Sequence, residues 1–344
     1  MKQGYLFKRG DTYYLRRTVD GKRSTVSLRV TVKAQAVAAR DRLLSEDAKL
    51  KIDRGRVTAG NAWCVFECSL CRRQCSPSTL AGYKAQWGRF VLKMTDSLDL
   101  ALVTREQVSA YLGALKGSVG ANTWNKHVNC LRYVWKTVQL DTGATLPDVF
   151  LGIQALPVPL VRHEAFQVEQ IQALYQAAEG EMRDIIGVAA HTGLRRVDCI
   201  NLQKASLSPL DGLIRVVPQK TRRISAEAVL APSALVLDVW GRSEGNGSPY
   251  LFPGARSVLN ACPQTWGARF QRFSVKTLAL NGDAGLYGFH SFRHWFRSAL
   301  TDSLVPEAVI NVMMCHGQGQ VSARYVHPSA DALKGAADSL TDFR

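Results

Sequence analysis

Arg195, His290, Arg293, His316 and Tyr325 are the side chains of this sequence whose types and order could act together on one substrate. Arg195 lies in HTGLRR (His191 to Arg196), His290 and Arg293 in HSFRH (His290 to His294), and His316 and Tyr325 in CHGQGQVSARYVH (Cys315 to His327). Guanidinium groups stay charged and bind oxyanions through two parallel N–H bonds. Imidazoles move protons near neutral pH, and a phenolic oxygen can attack phosphorus. Such a set suits the cleavage of a phosphodiester, which needs its non-bridging oxygens held, a nucleophile in line and an acid for the departing oxygen. Taken singly, each of these residues reads as surface charge or a helix cap; their order and spacing give them weight. Tyr287, in the turn between Gly285 and Gly288, is the competing nucleophile, and His191 and His327 read as packing or surface residues.

The elements that carry these residues follow from periodicity. Helices are expected at about 167–179 and 181–192, with helical continuation from Asp198 to Leu202 and further helices at 263–280, 290–304, 306–315 and 319–326. Two strands, Gly212 to Pro218 and Ile224 to Leu230, enclose a turn that holds Lys220, Arg222 and Arg223.

Upstream, residues 5–29 alternate as a three-stranded antiparallel sheet, with Asp20-Gly21 as a two-residue hairpin turn, and an Ala-rich helix follows at 33–50. From Ala62 to about Leu140 the pattern is helical. Ser76-Pro77 and the Thr104/Gln107 pair mark two helix starts. A turn-rich stretch with Gly143, Pro147, Gly152, Pro157 and Pro159 then separates this part from the C-terminal half. The fold expected is mainly α with small β-sheets. Its domains are an N-terminal sheet plus helix (1–56), a helical domain (60–145), a linker (146–164) and a mixed α/β domain with a C-terminal tail (165–344). Whether the tail from Ser329 packs on its own domain or on a neighbouring subunit stays open.

Charge points to the partner. The 344 residues carry a net charge of +16, which favours a polyanion because each phosphate contact releases condensed counterions. The excess is concentrated at the N-terminus: residues 1–56 hold 15 Lys and Arg against 6 Asp and Glu. Arg16, Arg17, Lys22 and Arg23 on the sheet, and Lys84 and Lys126 on the helical domain, are the candidate DNA contacts. No apolar run is long enough for a membrane span, and no signal-peptide core opens the chain. A cytoplasmic protein is expected, in the bacterial cytoplasm or nucleoid, with its eight cysteines as thiols. Cys64, Cys68, Cys71 and Cys75 fall on one helix face, where four thiolates cannot converge on one ion. They read as a buried stripe and no metal site is expected.

The C-terminal half resembles the tyrosine recombinases of the phage-integrase type. Thr192-Gly193-Leu194-Arg195 matches the family's first-arginine motif, with Asp198 at its acidic position. Lys220 matches the catalytic lysine, His290-Ser291-Phe292-Arg293 the His-x-x-Arg motif, His316 the next histidine and Tyr325 the nucleophile. Phe292 stands where leucine is usual, and Cys315 where glycine commonly precedes the histidine. The helical domain is similar to the family's core-binding domain, and the N-terminal sheet to its arm-binding domain.

The resemblance implies a site-specific DNA recombinase that integrates or excises a mobile element through a 3′-phosphotyrosine on Tyr325. Arg195 and Arg293 bind the non-bridging oxygens, and Lys220 protonates the leaving 5′-oxygen. His290 assists proton transfer, His316 bonds the phosphate, and Asp198 buttresses the arginine. The covalent bond conserves phosphodiester energy, so no cofactor is implied. The partners implied are double-stranded DNA at attachment-type sites, a homotetramer assembled on that DNA and an accessory DNA-bending protein. The competing functions are a type IB topoisomerase-like enzyme and a catalytically silent DNA-binding regulator on the same fold.

Overall fold

The computed structural model describes residues 4–19, 22–52, 56–73, 75–159, 163–220, 227–280, 282–283, 285–316 and 327–343, with the backbone alone at 18–19, 22 and 45–52. Two compact units divide between Pro159 and Leu160. The fold is mainly helical with two small antiparallel sheets.

The first unit opens with β1 (Gly4–Arg9), β2 (Thr12–Val19) and β3 (Lys22–Ser27), paired antiparallel in sequence order. The register sets Leu6 opposite Leu15 and Leu15 opposite Val26, while Tyr5 faces Arg16 and Phe7 faces Tyr14. Because side chains alternate across a strand, Leu15 and Arg16 lie on opposite faces. Helix α1 (Lys33–Ile52) packs on this sheet, and Leu15 and Ala36 are fully buried.

Helices α2 (Ala59–Arg72), α3 (Pro77–Met94), α4 (Arg105–Lys116) and α5 (Ala121–Thr142) form the rest of the unit. Their ends obey local chemistry. Thr58 with Asn61 and Thr104 with Gln107 close capping boxes, Ser76 caps α3 with Pro77 in its first turn, and Gly143 ends α5 at φ 72°. The core joins Phe66, Trp87, Phe90, Leu131 and Trp135. The buried indole N–H groups find acceptors, as Trp87 Nε1 donates to Ala59 O, Trp124 Nε1 to Leu112 O, Trp135 Nε1 to Pro147 O and Trp63 Nε1 to Glu67 Oε2. The stretch after Gly143 dresses this bundle: Leu146, Val149 and Phe150 are buried in its core, and Asn125 exchanges two hydrogen bonds with Leu156.

The buried cysteine stripe is corrected by the end of α2. Cys64 is buried and Cys68 donates to Asp41 O, but Cys71 is exposed and Cys75 follows the helix end. A helix that stops at Arg72 cannot carry the pattern to position 75.

The second unit runs through α6 (Val168–Ala177), α7 (Gly180–Thr192), α8 (Arg196–Ile200), β4 (Ile214–Val216) and β5 (Ala228–Leu230). It continues with α9 (Ala234–Ser243), α10 (Pro253–Ala261), α11 (Pro263–Leu278), α12 (His290–Asp302), α13 (Glu307–Met313) and α14 (Ala330–Asp338). Helices α9 and α10 were not expected from periodicity, although Ser233 caps one and Pro253 opens the other. The expected helix at 319–326 lies outside the described residues. Phe166, Trp266, Phe270, Phe289 and Phe292 meet ring to ring at the centre of the core. The tail packs on its own domain: Leu333, Ala336, Leu340 and Phe343 are buried, and Phe343 lies against His191 and Trp295. Among the described residues no helix is long and apolar enough to cross a membrane.

Candidate active site

Helix α7 ends at Gly193, whose φ of 58° turns the chain sharply out of the helix. Glycine is required there twice over. L residues resist that φ, and a Cβ on Gly193 would lie 2.5 Å from Phe296 Cδ1 of α12. The turn delivers Arg195 to the N-cap of α8 and Asp198 to its first turn. Arg196 crosses α11 at Gly267, where a Cβ would meet its Nη1 at 2.2 Å.

Arg293, on α12, is buried and ties the site together. Its Nη1 donates to Gly193 O at 2.8 Å and its Nη2 to Met314 O at 2.6 Å. One guanidinium therefore pins the loop that carries Arg195 to the end of α13 that leads into His316. Burial, and then the charge of Arg195, lowers the Arg293 pKa to about 10, so it stays protonated at neutral pH. Cys315 stands at φ 48°, the left-handed turn that sets off His316. Glycine adopts that φ freely, whereas a side chain costs roughly 1–2 kcal/mol.

Asp198 is buried and accepts a hydrogen bond from Gln219 N at 2.8 Å. Burial raises its pKa, against the opposing pull of the Gln219 N–H and the charges of Arg195 and Arg293. The carboxylate thus holds the backbone next to Lys220, a link that the sequence does not announce. Lys220 is exposed just beyond β4; Arg222 and Arg223 of the same turn lie outside the described residues.

Arg195, Arg196, Asp198, Gln219, Lys220 and His290 line one open pocket. His290 is open to solvent on one side. Desolvation on the other, followed by repulsion from His294, Arg293, Arg195 and His163, lowers its pKa to about 4. His294 packs edge-on against its ring with centroids 5.0 Å apart. His316 is also held below its usual pKa, by desolvation first and then by Arg293, Arg297 and Arg195. The strongly positive setting thus favours the neutral form of both imidazoles. The most telling atom is Arg195 Nη1, which is buried and has no hydrogen-bond partner among the described residues. A buried charged donor left unpaired is costly, and an oxyanion in the pocket is the chemistry that would satisfy it.

The structure brings Arg195, Asp198, Lys220 and His290 to this pocket, with Arg293 braced beneath the Arg195 loop and His316 within the field of both arginines. Tyr325 lies outside the described residues. Tyr287 is partly buried and stacked on Phe166 at 5.5 Å, a packing role. The remaining candidates sit in the first unit. Arg16 and Arg23 are exposed, with the Arg16 guanidinium over the Phe7 ring at 5.1 Å. Arg17 is half-buried, Lys84 and Lys126 are exposed, and Lys22 is described by its backbone. Among the described residues, no group of three or more His, Cys, Asp or Glu side chains could hold a metal ion. Sequence reasoning missed Gln219, Arg196 and Phe289 as pocket walls, since only the folded chain brings them beside Arg195.

The phage integrase family model matches residues 164–331. Among solved structures, a lambda integrase dimer bound to a COC′ core site is 17% identical with a TM-score of 0.62, covering 94% of this chain and 96% of that one. A lambda integrase tetramer bound to a Holliday junction is 16% identical with a TM-score of 0.61, covering 94% of each chain. A Tn1549 transposon integrase fragment in complex with transposon right end DNA is 16% identical with a TM-score of 0.59, covering 83% of this chain and 99% of that one. At such identities these likenesses speak for the fold. No curated protein sequence matches the chain. With its motifs in order across residues 164–331 and the fold of the solved integrases around them, the second unit of this chain carries a phage integrase family domain, the domain of the tyrosine recombinases.

Proposed function

We propose that this protein is a site-specific DNA recombinase of the integrase type, which cuts and rejoins duplex DNA through a 3′-phosphotyrosine and so integrates or excises a mobile element. One observation carries the reading: the buried Nη1 of Arg195, without a hydrogen-bond partner among the described residues, in a pocket wall shared with Lys220 and His290. That is the donor arrangement expected for a phosphate's non-bridging oxygen.

In this reading Tyr325 Oη bonds to phosphorus as the bond from phosphorus to the 5′-oxygen breaks. The phenolic proton passes to His290, which its low pKa leaves in the neutral, acceptor form at pH 7, and the entering phosphate's negative charge would raise its basicity. Lys220 gives a proton to the departing 5′-oxygen, and Asp198 keeps the lysine turn in place through Gln219 N. Arg195 and Arg293 stabilise the charge on the non-bridging oxygens, with a hydrogen bond from His316. Attack by the 5′-hydroxyl of a partner strand reverses the chemistry and joins the exchanged strands.

The reading extends to the whole chain. Residues 1–56 serve as an arm-type DNA-binding domain with Arg16, Arg17, Lys22 and Arg23, and residues 60–145 as a core-binding domain with Lys84 and Lys126. Residues 165–344 form the catalytic domain. Strand exchange between two duplexes calls for four protomers on DNA, with an accessory DNA-bending protein where the site must be bent, in the cytoplasm or nucleoid. The lambda integrase dimer on a core site and tetramer on a Holliday junction support this assembly.

The test uses a nicked duplex bearing the element's end sequence, incubated with native protein and with Arg195→Ala, and the covalent protein–DNA adduct read on a denaturing gel. The variant should form adduct about 10²- to 10³-fold more slowly while its affinity for the duplex changes far less. Adduct formation at the native rate would take Arg195 out of the reaction and overturn the reading.

A further inference from the structure

A second, strongly polar pocket adjoins the first, lined in part by Asn201, Arg215, Tyr250 and Arg256, and it shares Asp198 and Gln219 with the active-site pocket. It presents two guanidinium groups. Arg215 is neutralised, because Asp211 accepts two of its N–H bonds as an ion pair. Arg256 is not. Its guanidinium carbon lies 3.8 Å from the centroid of the Tyr250 ring, and its Nε donates to Asn201 Oδ1 at 3.2 Å. Asn201 is itself held, its Nδ2 donating to Val197 O at 2.8 Å. Among the described residues Arg256 has no carboxylate within ion-pair distance and its two Nη groups donate no hydrogen bond. A planar cation is thus fixed on one face by a ring and at Nε by an amide, with its fork left open.

That arrangement has a chemical meaning. Ring stacking and the Nε bond remove most of the freedom an arginine loses on binding. The open fork matches two oxygens of a phosphate. From this we propose that Arg256 binds a backbone phosphate of the DNA strand next to the scissile one, and so sets the strand's register over the active-site pocket. The inference rests on the recombinase reading for the identity of the strand. It adds a binding residue that the family motifs do not mark. Arg256 touches none of the reacting atoms and acts by positioning.

The test measures binding of the full chain to a short mixed-sequence duplex by fluorescence anisotropy across a salt series. Arg256→Gln should make the plot of log affinity against log salt shallower by about 0.9, one phosphate contact, and Arg256→Lys should keep the native slope. Arg183 is the matched control, since it lies over Tyr175 at 4.8 Å in the same way but outside both pockets. Arg183→Gln should leave the slope unchanged. A native slope in folded Arg256→Gln, or equal changes in both glutamine variants, would overturn the proposal.

Should Arg256→Gln fail to fold, native protein and Arg256→Lys are compared on nicked duplexes with single neutral methylphosphonate linkages. One linkage beside the nick should weaken native binding, and its penalty should shrink in the lysine variant, which lacks the fork. Equal penalties would refute the assignment. Loss of the recombinase reading shows separately, as duplex binding by native protein with no covalent adduct.

Discussion

Gly193→Ala is the substitution that most directly questions how the site is held. The residue sits at φ 58°, and the new Cβ would lie 2.5 Å from Phe296 Cδ1 and 2.8 Å from Phe296 Cγ. The left-handed backbone alone costs an L residue roughly 1–2 kcal/mol. Forcing a methyl into a packed core adds about 1–3 kcal/mol, and Phe296 is fully buried with little room to give. The sum is a loss of about 2–5 kcal/mol. Gly180 supplies the control in the same unit, because its φ is 55° but nothing lies within 4 Å of its Cβ position. Gly180→Ala should carry the backbone cost alone, about 1–2 kcal/mol.

The assay is denaturant unfolding of the full chain, following the transition of the unit that holds both glycines. A Gly193→Ala/Phe296→Leu double variant should recover part of the loss, through a coupling of about 0.5–3 kcal/mol between neighbours. Because Gly193 O accepts from Arg293 Nη1, the single variant should also lose DNA cleavage beyond its loss of stability. If Gly193→Ala costs no more than Gly180→Ala, the close approach of α12 to this loop is wrong, and with it the account of how Arg195 is positioned.

Other consequences can be measured in parallel. Asp198→Ala releases Gln219 N and the Lys220 turn, so adduct formation should fall at least tenfold while duplex affinity, by anisotropy, changes little. His127 is buried against the Tyr111 hydroxyl at 2.7 Å, and desolvation lowers its pKa from 6.5 to about 4. The unfolded chain therefore binds this proton first. Stability is full above pH 6.5 and falls by up to about 3 kcal/mol as pH drops to 4; His127→Gln should flatten that part of a pH series of melting curves. Phe343→Ala empties a buried site against His191 and Trp295 and should cost about 3–5 kcal/mol in the second unit, read as a lower unfolding midpoint.

What the sequence revealed divides along the distance over which each interaction acts. The Thr104/Gln107 box, Ser76-Pro77 and the Asp20-Gly21 signal are local, and the elements beside them stand where expected. The strand expected at 212–218 shortens to Ile214–Val216, because pairing, not propensity, decides where a two-stranded sheet ends, and the described part of the one expected at 224–230 forms Ala228–Leu230. Periodicity does not mark helices α9 and α10, whose patterns Gly241 and Gly254 interrupt, despite good starts at Ser233 and Pro253. Motif spacing marks the candidate site residues but not their partners. Arg293 bonds to a carbonyl 100 positions away, and Asp198 to an amide 21 positions on. No periodicity records such pairings. The left-handed Cys315 and the open fork of Arg256 likewise emerge only from three-dimensional surroundings.

In the proposed reaction this chain breaks DNA by forming a covalent bond to Tyr325. A nicked duplex bearing the element's end sequence should trap that bond, in the presence of a chelator, as a slow-migrating adduct. Tryptic digestion should then place a phosphotyrosine with attached nucleotide on the peptide that begins at Tyr325, and Tyr325→Phe should abolish the adduct while binding the duplex normally. An adduct that survives in Tyr325→Phe, with the modification mapped to Tyr287 or another residue, would contradict the account.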